Sequence, residues 1–296
     1  MSKAGSAAKV KISSFDDLFG ASEIPAGVEQ VQEIALEELH EFKGHPFKVL
    51  DDEKMRETVE SIKSYGVLMP GIARPRAEGG YEIIAGHRRK HGCELAGLST
   101  MPVFIRDYTD DEATIIMVDS NIQREDILPS EKARAYAMKY EALRHQGRKG
   151  GSTLDEVGEA AGESGKTVQR YVWLARLSDE LLAMVDAKKL GLVQGVDISF
   201  LTEQQQEWVS VILGETGAAV STAQASKIKE YGKSGELTPA MVRLILTEEK
   251  PKERKVTIRA DKISRYFPEE FSNDEIENVI YQLLEEWNTQ NRLKKQ

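Results

Sequence analysis

The sequence predicts a mainly helical α+β protein with a small α/β N-terminal domain, an all-α middle domain and a small α+β C-terminal module. Within the predicted N-terminal domain, residues 36–128, the stretch 36–106 alternates between short apolar strand patterns and helical patterns. Residues 129–248 show only helical patterns. Residues 255–296, after a linker rich in lysine, glutamate and proline, combine one strand pattern with helices. A chain of 296 residues is long enough for two or three such domains.

Composition limits the possible functions. The 49 Asp and Glu residues outnumber the 40 Lys and Arg residues, so any nucleic-acid binding must use a local basic patch. The single cysteine, Cys93, excludes a disulfide framework and a multi-cysteine zinc site, and we expect it to be a small buried residue. The sequence shows no bilayer-spanning apolar run and no signal-peptide pattern, which predicts a cytoplasmic protein without a membrane partner.

Residues 1–35 are predicted to form a flexible tail, because small and polar residues dominate them. Phe15, Leu18 and Phe19 could share one face of a short helix. That piece is either part of a frayed terminus, the reading that we favour from these residues alone, or a docking peptide that folds on a partner.

Residues 36–128 predict a small α/β domain. A helix is expected over Glu53–Tyr65, because Met55, Val59 and Ile62 recur on one face, and Gly66 follows as a helix end. The other predicted elements are strands at 71–74, 81–85 and 103–105, a hairpin turn at 79–80, and helices at 86–95 and 110–119.

A glycine and two arginines open the helix that follows the strand at 81–85, which predicts an anion site. The N-terminus of a helix offers free N–H groups, and Gly86 lets the backbone approach a ligand closely. Arg88 and Arg89 supply forked donors that match phosphate oxygens. The alternative, which these residues alone favour, is that both arginines form surface ion pairs. His87 is either a ligand or a base or, as a lone histidine more often is, a partly exposed spectator.

A polar loop after the helix at 110–119 is a second candidate. Asn121 and Gln123 carry amide oxygens that can bind a hard cation, and Arg124 can bind phosphate. The alternative is a plain inter-helix loop in which Ser120 and Asn121 cap the helices.

The region from residue 46 to 140 resembles the N-terminal domain of the ParB/RepB partition proteins. Three segments carry the resemblance through their order and spacing, residues 60–70, 81–89 and 121–129. The resemblance implies a ParB/sulfiredoxin-like fold and a clamp that binds CTP, with Asn121 helping to hold Mg²⁺. The residues that it places in the nucleotide pocket are Gly86, His87, Arg88, Arg89, Asn121, Gln123 and Arg124.

Three positions depart from the family pattern. His87 and Ser120 stand where the family usually has glutamate, and residues 45–47 read His-Pro-Phe where it usually has Gln-Pro-Arg. The lost carboxylates are groups that would position metal and water for hydrolysis, so at most a weak CTPase activity is expected. A sulfiredoxin activity is not expected, because Ala85 or Gly86 occupies the position of the catalytic cysteine.

Residues 153–176 predict a helix-turn-helix. Thr153 and Glu156 have the spacing of a capping box at the start of the first helix. Gly158 costs that helix about 1 kcal/mol relative to alanine, but it lets the two helices cross closely.

The second helix of this pair, residues 165–174 with Ser164 as its cap, is the candidate DNA-reading helix. Gln can pair with adenine and Arg with guanine in the major groove, while Lys contacts phosphates. The alternative is an ordinary helical hairpin, but the position directly after a ParB-like domain favours DNA binding. The predicted DNA contacts are Arg148, Lys149, Lys166, Thr167, Gln169 and Arg170. The acidic residues expected to face away from DNA are Asp155, Glu156 and Glu159.

Residues 255–296 predict a dimerisation module. A strand is expected at 255–259, and Ser272 and Glu275 form a capping box before a long helix. About 40 residues cannot bury the apolar face of that helix alone, so it either forms a twofold dimer or packs on the preceding domain, and the charged linker favours the dimer. The residues of this face are Ile276, Val279, Ile280, Leu283, Leu284 and Trp287.

Together these features predict a homodimeric, nucleoid-associated partition protein that loads on a centromere-like site in double-stranded DNA and is gated by CTP. By resemblance, its tail would dock on a ParA-type ATPase. Gly195, Val196 and Asp197 stand where chromosomal members have Gly-His-Ala, so the pattern is closer to members from plasmids and mobile elements. One alternative is a nucleotide-independent transcription regulator or nucleoid-associated factor. Another is an enzyme with nuclease or phosphotransfer activity, which the lost carboxylates disfavour.

Overall fold

A computed structural model describes residues 31–124, 126–147, 151–248, 260–268 and 270–293. The chain divides into two compact units, residues 1–248 and 249–296. Within the described residues, no helix is both long and apolar enough to cross a membrane.

The first unit begins with a five-stranded mixed sheet in the order β1-β5-β3-β4-β2. The β1–β5 and β3–β4 pairs are antiparallel, whereas the β3–β5 and β2–β4 pairs are parallel. The strands are β1 (Val31–Ala35), β2 (Leu39–His40), β3 (Gly71–Pro75), β4 (Tyr81–Ala85) and β5 (Thr100–Ile105).

Helices cover both faces of this sheet. Helix α1 (Glu53–Tyr65) and helix α2 (His87–Ala96) contribute Ile62 and Cys93 to the core on the face of Ile83. The neighbouring residue Ile84 points to the opposite face and packs against helix α3 (Asp110–Asn121). The small α/β arrangement and the burial of Cys93 are therefore confirmed.

The predicted C-terminal boundary of the tail, at residue 35, lies too far along the chain. Residues 31–35, which we assigned to it, form the edge strand β1 and pair with β5, with Val31 opposite Phe104 and Ala35 opposite Thr100. Only Ile34 of this strand is fully buried, so the alternating pattern that identifies a strand is weak. Phe15, Leu18 and Phe19 lie outside the described residues.

The rest of the first unit is helical, as predicted. Its helices after α3 are α4 (Pro129–His145), α5 (Gly151–Glu159), α6 (Gly165–Leu174), α7 (Asp179–Asp186), α8 (Leu192–Ile198), α9 (Glu203–Thr216), α10 (Thr222–Ser234) and α11 (Pro239–Thr247).

The predicted division between residues 128 and 129 is not a packing boundary. Ile84 of the sheet, Tyr136 of α4 and Val168 of α6 belong to one buried cluster. Helix α4 thus packs against α3 as well as α5 and α6, and it joins the sheet domain to the predicted DNA-binding helices in one body. A second core, which includes Leu182, Ile228 and Val242, lies among the helices that follow.

The described part of the second unit consists of helix α12 (Ala260–Ile263), a 3₁₀ turn (Ser264–Tyr266) and helix α13 (Asn273–Leu293). The capping box is confirmed, because the Ser272 amide donates to Glu275 Oε2 at 2.8 Å and the Glu275 amide donates to Ser272 Oγ at 3.4 Å. The strand predicted at 255–259 lies outside the described residues.

Candidate functional site

Gly86 turns the chain from strand β4 into helix α2. Its φ of 114° lies in the region that favours glycine. An added Cβ would also lie 3.2 Å from the Arg89 Nη2 atom and 3.2 Å from Met101 Cε. A side chain here would therefore both strain the backbone and crowd Arg89.

Two adjoining spaces surround this turn. The larger, which we call the arginine cleft, has a volume of about 870 Å³ and includes Asp52, Leu68, Met69, Arg88, Arg89 and Arg124 in its lining. The smaller, which we call the histidine cavity, has about 200 Å³ and shares the three arginines. The residues that line the histidine cavity are His45, Val49, Ala85, Gly86, His87, Arg88, Arg89, Ser120, Asn121 and Arg124. The fold thus brings together six of the seven residues that the resemblance places in a nucleotide pocket.

Both arginines of α2 have protein partners. The Arg88 Nη2 atom lies 3.0 Å from Asp52 Oδ1, and this hydrogen bond lowers the pKa of Asp52. Arg89 donates to the carbonyl oxygens of Met69 and Pro70, the latter at 2.6 Å, and burial lowers its pKa. The surface ion pairs considered as the alternative are thus realised for Arg88 only. Asp52 was missed as a site residue, although its position one residue before α1 identifies it as a cap.

His87 is partly exposed, as expected of a lone histidine, but it is not isolated. Its ring stacks on that of His45 with a centroid distance of 3.8 Å and a tilt of 37°. Desolvation lowers the pKa of His87 to about 3 and also lowers the pKa of His45. Both rings are therefore neutral at neutral pH. The only signal for His45 in the sequence was its departure from the family pattern.

The loop after α3 divides its side chains between two directions. Asn121 lines the histidine cavity, and its Nδ2 atom donates to Met117 O at 2.9 Å and to Ser120 Oγ at 3.2 Å. The Oδ1 atom is not used by these bonds, which suits an oxygen ligand for Mg²⁺.

Gln123, which the resemblance places in the nucleotide pocket, does not line either space. Its Nε2 atom donates to the carbonyl oxygen of Ala160, just after helix α5, at 3.0 Å. Because successive loop residues turn away from one another, Gln123 contacts the predicted DNA-binding helices while its neighbours Ile122 and Arg124 face inward. The described residues contain no cluster of three or more His, Cys, Asp or Glu side chains that could hold a metal alone.

Helices α5 and α6 form a close pair. A Cβ on Gly158 would overlap the carbonyl oxygen of Glu163 and lie 2.9 Å from Val168 Cγ2, so the predicted close crossing is confirmed. Ser164 caps α6 by accepting from the Thr167 amide at 3.4 Å. The capping box at Thr153 is wrong, because α5 already begins at Gly151 and Thr153 is buried within it.

The predicted reading face of α6 is open. Lys166 and Arg170 are exposed, and both line a groove of about 480 Å³ together with Gln169 and Trp173. Thr167 does not line this groove, since its hydroxyl lies 3.1 Å from Ser164 Oγ in the cap. Arg148 and Lys149 lie outside the described residues.

One acidic residue does not face away from this groove as expected. Asp155 lines the groove, and its Oδ1 atom accepts from the Gly165 amide at 2.8 Å. This bond holds the start of α6 against α5. The Asp155 carboxylate therefore stabilises the helix pair, although it lies next to the basic residues of α6.

Comparison with known proteins shows the family of this chain. The family signature of the ParB N-terminal domain matches residues 21–122. A probable chromosome 1-partitioning protein ParB of Deinococcus radiodurans is 33% identical over 214 residues, which cover 72% of this chain and 71% of that protein. The chain belongs to the ParB family.

Other ParB relatives extend the comparison. The chromosome-partitioning protein Spo0J of Thermus thermophilus is 31% identical over 180 residues, or 61% of this chain and 64% of that one. A C-terminally truncated ParB of Caulobacter crescentus, solved with the centromeric parS site, is 23% identical and covers 67% of this chain and 98% of that one, with a TM-score of 0.42. The same protein complexed with CTP-gamma-S is 24% identical over the same shares, with a TM-score of 0.30.

Proposed function

We propose that this ParB-family chain is a site-specific DNA-binding partition protein that works as a dimeric clamp gated by CTP. The observation that carries the proposal is the convergence of Gly86, Arg88, Arg89 and Arg124 on the histidine cavity. Three guanidinium groups beside the N-terminus of a helix match the charge and geometry of a triphosphate.

In this proposal the pocket binds nucleotide and hydrolyses it weakly at most. Arg88, Arg89 and Arg124 hold the phosphates, and the free oxygen of Asn121 supplies the single protein ligand that Mg²⁺ needs when phosphates and water complete its shell. Among the described residues no carboxylate lines the histidine cavity, so the cavity offers none to position a metal or an attacking water. Asp52, in the arginine cleft, already pairs with Arg88.

The segment that carries Asn121 also contacts the DNA-binding helices. Asp119 Oδ1 lies 2.6 Å from the Nζ atom of Lys139, which is buried and lies 3.4 Å from the carbonyl oxygens of Glu156 and Val157 in α5. Gln123 adds the bond to Ala160. A ligand that moves residues 119–124 would therefore move α5 and α6, and it shifts the clamp only by binding the closed state more tightly.

DNA would be read by α6. Arg170 and Gln169 face the groove that a base edge would enter, while Lys166 at the start of the helix is placed to contact a phosphate. The exposed apolar face of α13, where Leu283, Leu284 and Trp287 are exposed, supports dimerisation. By family membership the partner would be a ParA-type ATPase that the N-terminal tail contacts, and the protein would act on the nucleoid in the cytoplasm.

The proposal is tested by equilibrium binding of CTP, ATP and GTP to the wild type and to Arg89→Ala. Arg56→Ala, an exposed arginine of α1 that pairs with Glu53, is the matched control. We expect CTP to bind more tightly than the other nucleotides and Arg89→Ala alone to lose binding. Equal affinities for the three nucleotides, or an unchanged Arg89→Ala protein, would contradict it.

A nucleotide-independent DNA-binding regulator is the second candidate, because Arg88 and Arg89 already have partners in Asp52 and in two backbone carbonyls. The two candidates differ in the recovery of genomic DNA on the purified protein. A partition clamp retains its site more strongly with CTP, whereas such a regulator retains the same sites with and without it.

A further inference from the structure

Two buried nitrogen atoms without a partner meet in the histidine cavity. Among the described residues, the buried side-chain nitrogen and oxygen atoms that lack a hydrogen-bond partner are His45 Nε2, His87 Nε2 and Thr153 Oγ1. The two histidines line the cavity that Arg88, Arg89 and Arg124 also line. Buried polar atoms are nearly always satisfied, so a pair of unsatisfied ones beside three cations indicates a place for a ligand.

The tautomer of His45 follows from its one hydrogen bond. Its Nδ1 atom lies 2.8 Å from the carbonyl oxygen of Phe47, which can only accept, so Nδ1 carries the hydrogen. In the neutral ring Nε2 then carries a lone pair that faces an anion site. A phosphate oxygen can approach that atom favourably only if a proton lies between them.

Desolvation, more than any neighbouring charge, disfavours this proton in the free protein. Burial disfavours the charged form of both rings, and each ring would repel a charge on the other across 3.8 Å. Glu131 favours a proton on His45, but its carboxylate accepts from the Lys48 amide at 2.8 Å and from the Leu128 amide at 3.2 Å. The charged groups that face the two rings from the surrounding elements are Glu41, Arg88, Arg89, Lys90, Arg124 and Glu131.

We propose that His45 is a further phosphate-binding residue, which takes up one solvent proton when the nucleotide binds and donates from Nε2 to a phosphate oxygen. His87 is the positioning residue that stacks on the ring and holds it in the cavity. This inference rests on the proposed function, since it needs a nucleotide in the pocket. One proton moves from water to Nε2, and no covalent bond of the nucleotide changes.

Protonation of His45 on binding makes the nucleotide affinity decrease as pH rises. The free ring has a lowered pKa, and the bound phosphate raises it. Between these two values binding is accompanied by proton uptake, so affinity falls by about tenfold for each unit that pH rises.

The test is calorimetric titration of the full chain with CTP and Mg²⁺ at pH 7 in buffers of different ionisation enthalpy, which counts the protons taken up. His45→Asn keeps a donor for the Phe47 carbonyl and removes Nε2. The matched control is His145→Asn. His145 is exposed and pairs with Asp111, which lies at the opposite end of α3 from Asn121. We expect the wild type and His145→Asn to take up as much as one proton more than His45→Asn does. Comparison with His45→Asn corrects for the protons that CTP itself exchanges.

Equal proton uptake by the wild type and His45→Asn, with CTP bound to both, would overturn this inference and leave the proposed function intact. Absence of CTP binding to the wild type would overturn both. Should His45→Asn fail to fold, ¹⁵N resonances of the histidine rings in the wild type decide the question with inorganic tripolyphosphate as the probe. An imidazolium signature for His45 on binding at pH 7 supports the role, and a ring that stays neutral overturns it.

Discussion

Arg88 and Asp52 join the N-termini of two helices, because the Asp52 Oδ1 atom accepts from Arg88 Nη2 at 3.0 Å and from the Met55 amide at 2.8 Å. The same oxygen thus caps α1 and occupies a guanidinium of the proposed phosphate site. A phosphate that enters the arginine cleft has to compete with this carboxylate.

Asp52→Asn should therefore increase nucleotide affinity. Asparagine remains a good helix cap but has no charge to hold Arg88. The dissociation constant of CTP should therefore fall, and only modestly, because a solvent-screened ion pair is weak. Asp51→Asn is the control, since Asp51 pairs with His91 instead. Weaker binding to Asp52→Asn would show that the carboxylate assists the ligand.

Gly158→Ala should destabilise the protein although alanine is the better helix former. The new Cβ would overlap the Glu163 carbonyl and crowd Val168, and overpacking of this kind costs about 1–3 kcal/mol. Gly214→Ala in α9, where a Cβ meets open space, should instead stabilise by about 1 kcal/mol. Urea denaturation of both variants compares the two effects, and equal midpoints would refute the close crossing.

The neutral His87 ring should make the protein less stable in mild acid. Its pKa is about 3 in the folded chain against 6.5 for the free side chain, so between these values the unfolded chain binds more protons and stability falls as pH falls. From pH 7.5 to 5 the loss from this group is roughly 2 kcal/mol. His91, whose bond to Asp51 raises its pKa, acts in the opposite direction.

The measurement is the urea unfolding free energy at both pH values for the wild type and His87→Gln. The variant should lose less stability than the wild type on acidification, since glutamine does not titrate. An identical pH dependence of the two proteins would mean that His87 is protonated or accessible in the folded state.

Arg170→Ala and Lys166→Ala should affect DNA binding differently. Loss of a base contact by Arg170 is expected to cost about 1–3 kcal/mol on the preferred site and to relax specificity at one position. Loss of a phosphate contact by Lys166 should weaken binding to all sequences and lower the salt slope by about one. Thr167→Ala is the comparison, because Thr167 belongs to the helix cap. Fluorescence anisotropy over a salt series separates these outcomes, and equal effects on specific and random DNA would exclude Arg170 as a reading residue.

Leu284→Asp should dissociate the proposed dimer. The side chain is 54% exposed on the apolar face of α13, where a buried charge would be costly in a twofold interface. Glu285→Gln, the adjacent substitution, should leave the association state unchanged. Sedimentation equilibrium measures both, and a dimeric Leu284→Asp protein would place the interface elsewhere.

Local patterns determined most of the elements and the main parts of the site. The bounds of α1 and α6, the hairpin at 79–80 and the glycine that begins α2 follow from spacing and from glycine chemistry, which act within a few residues. The order of three motifs over nearly 100 residues was enough to suggest the family.

Only the tertiary structure decided which of these residues meet. Asp52 is far from Arg88 in the chain, and His45 is far from His87. Nothing in their own neighbourhoods predicts a stacked histidine pair or a carboxylate that competes for the phosphate site. Gln123 and Thr153 have residue types that suit a pocket and a helix cap, but they do not take these positions. Packing directs Gln123 to the Ala160 carbonyl and buries Thr153 within α5. Burial and contact depend on how distant segments pack, and a local pattern carries no information about that.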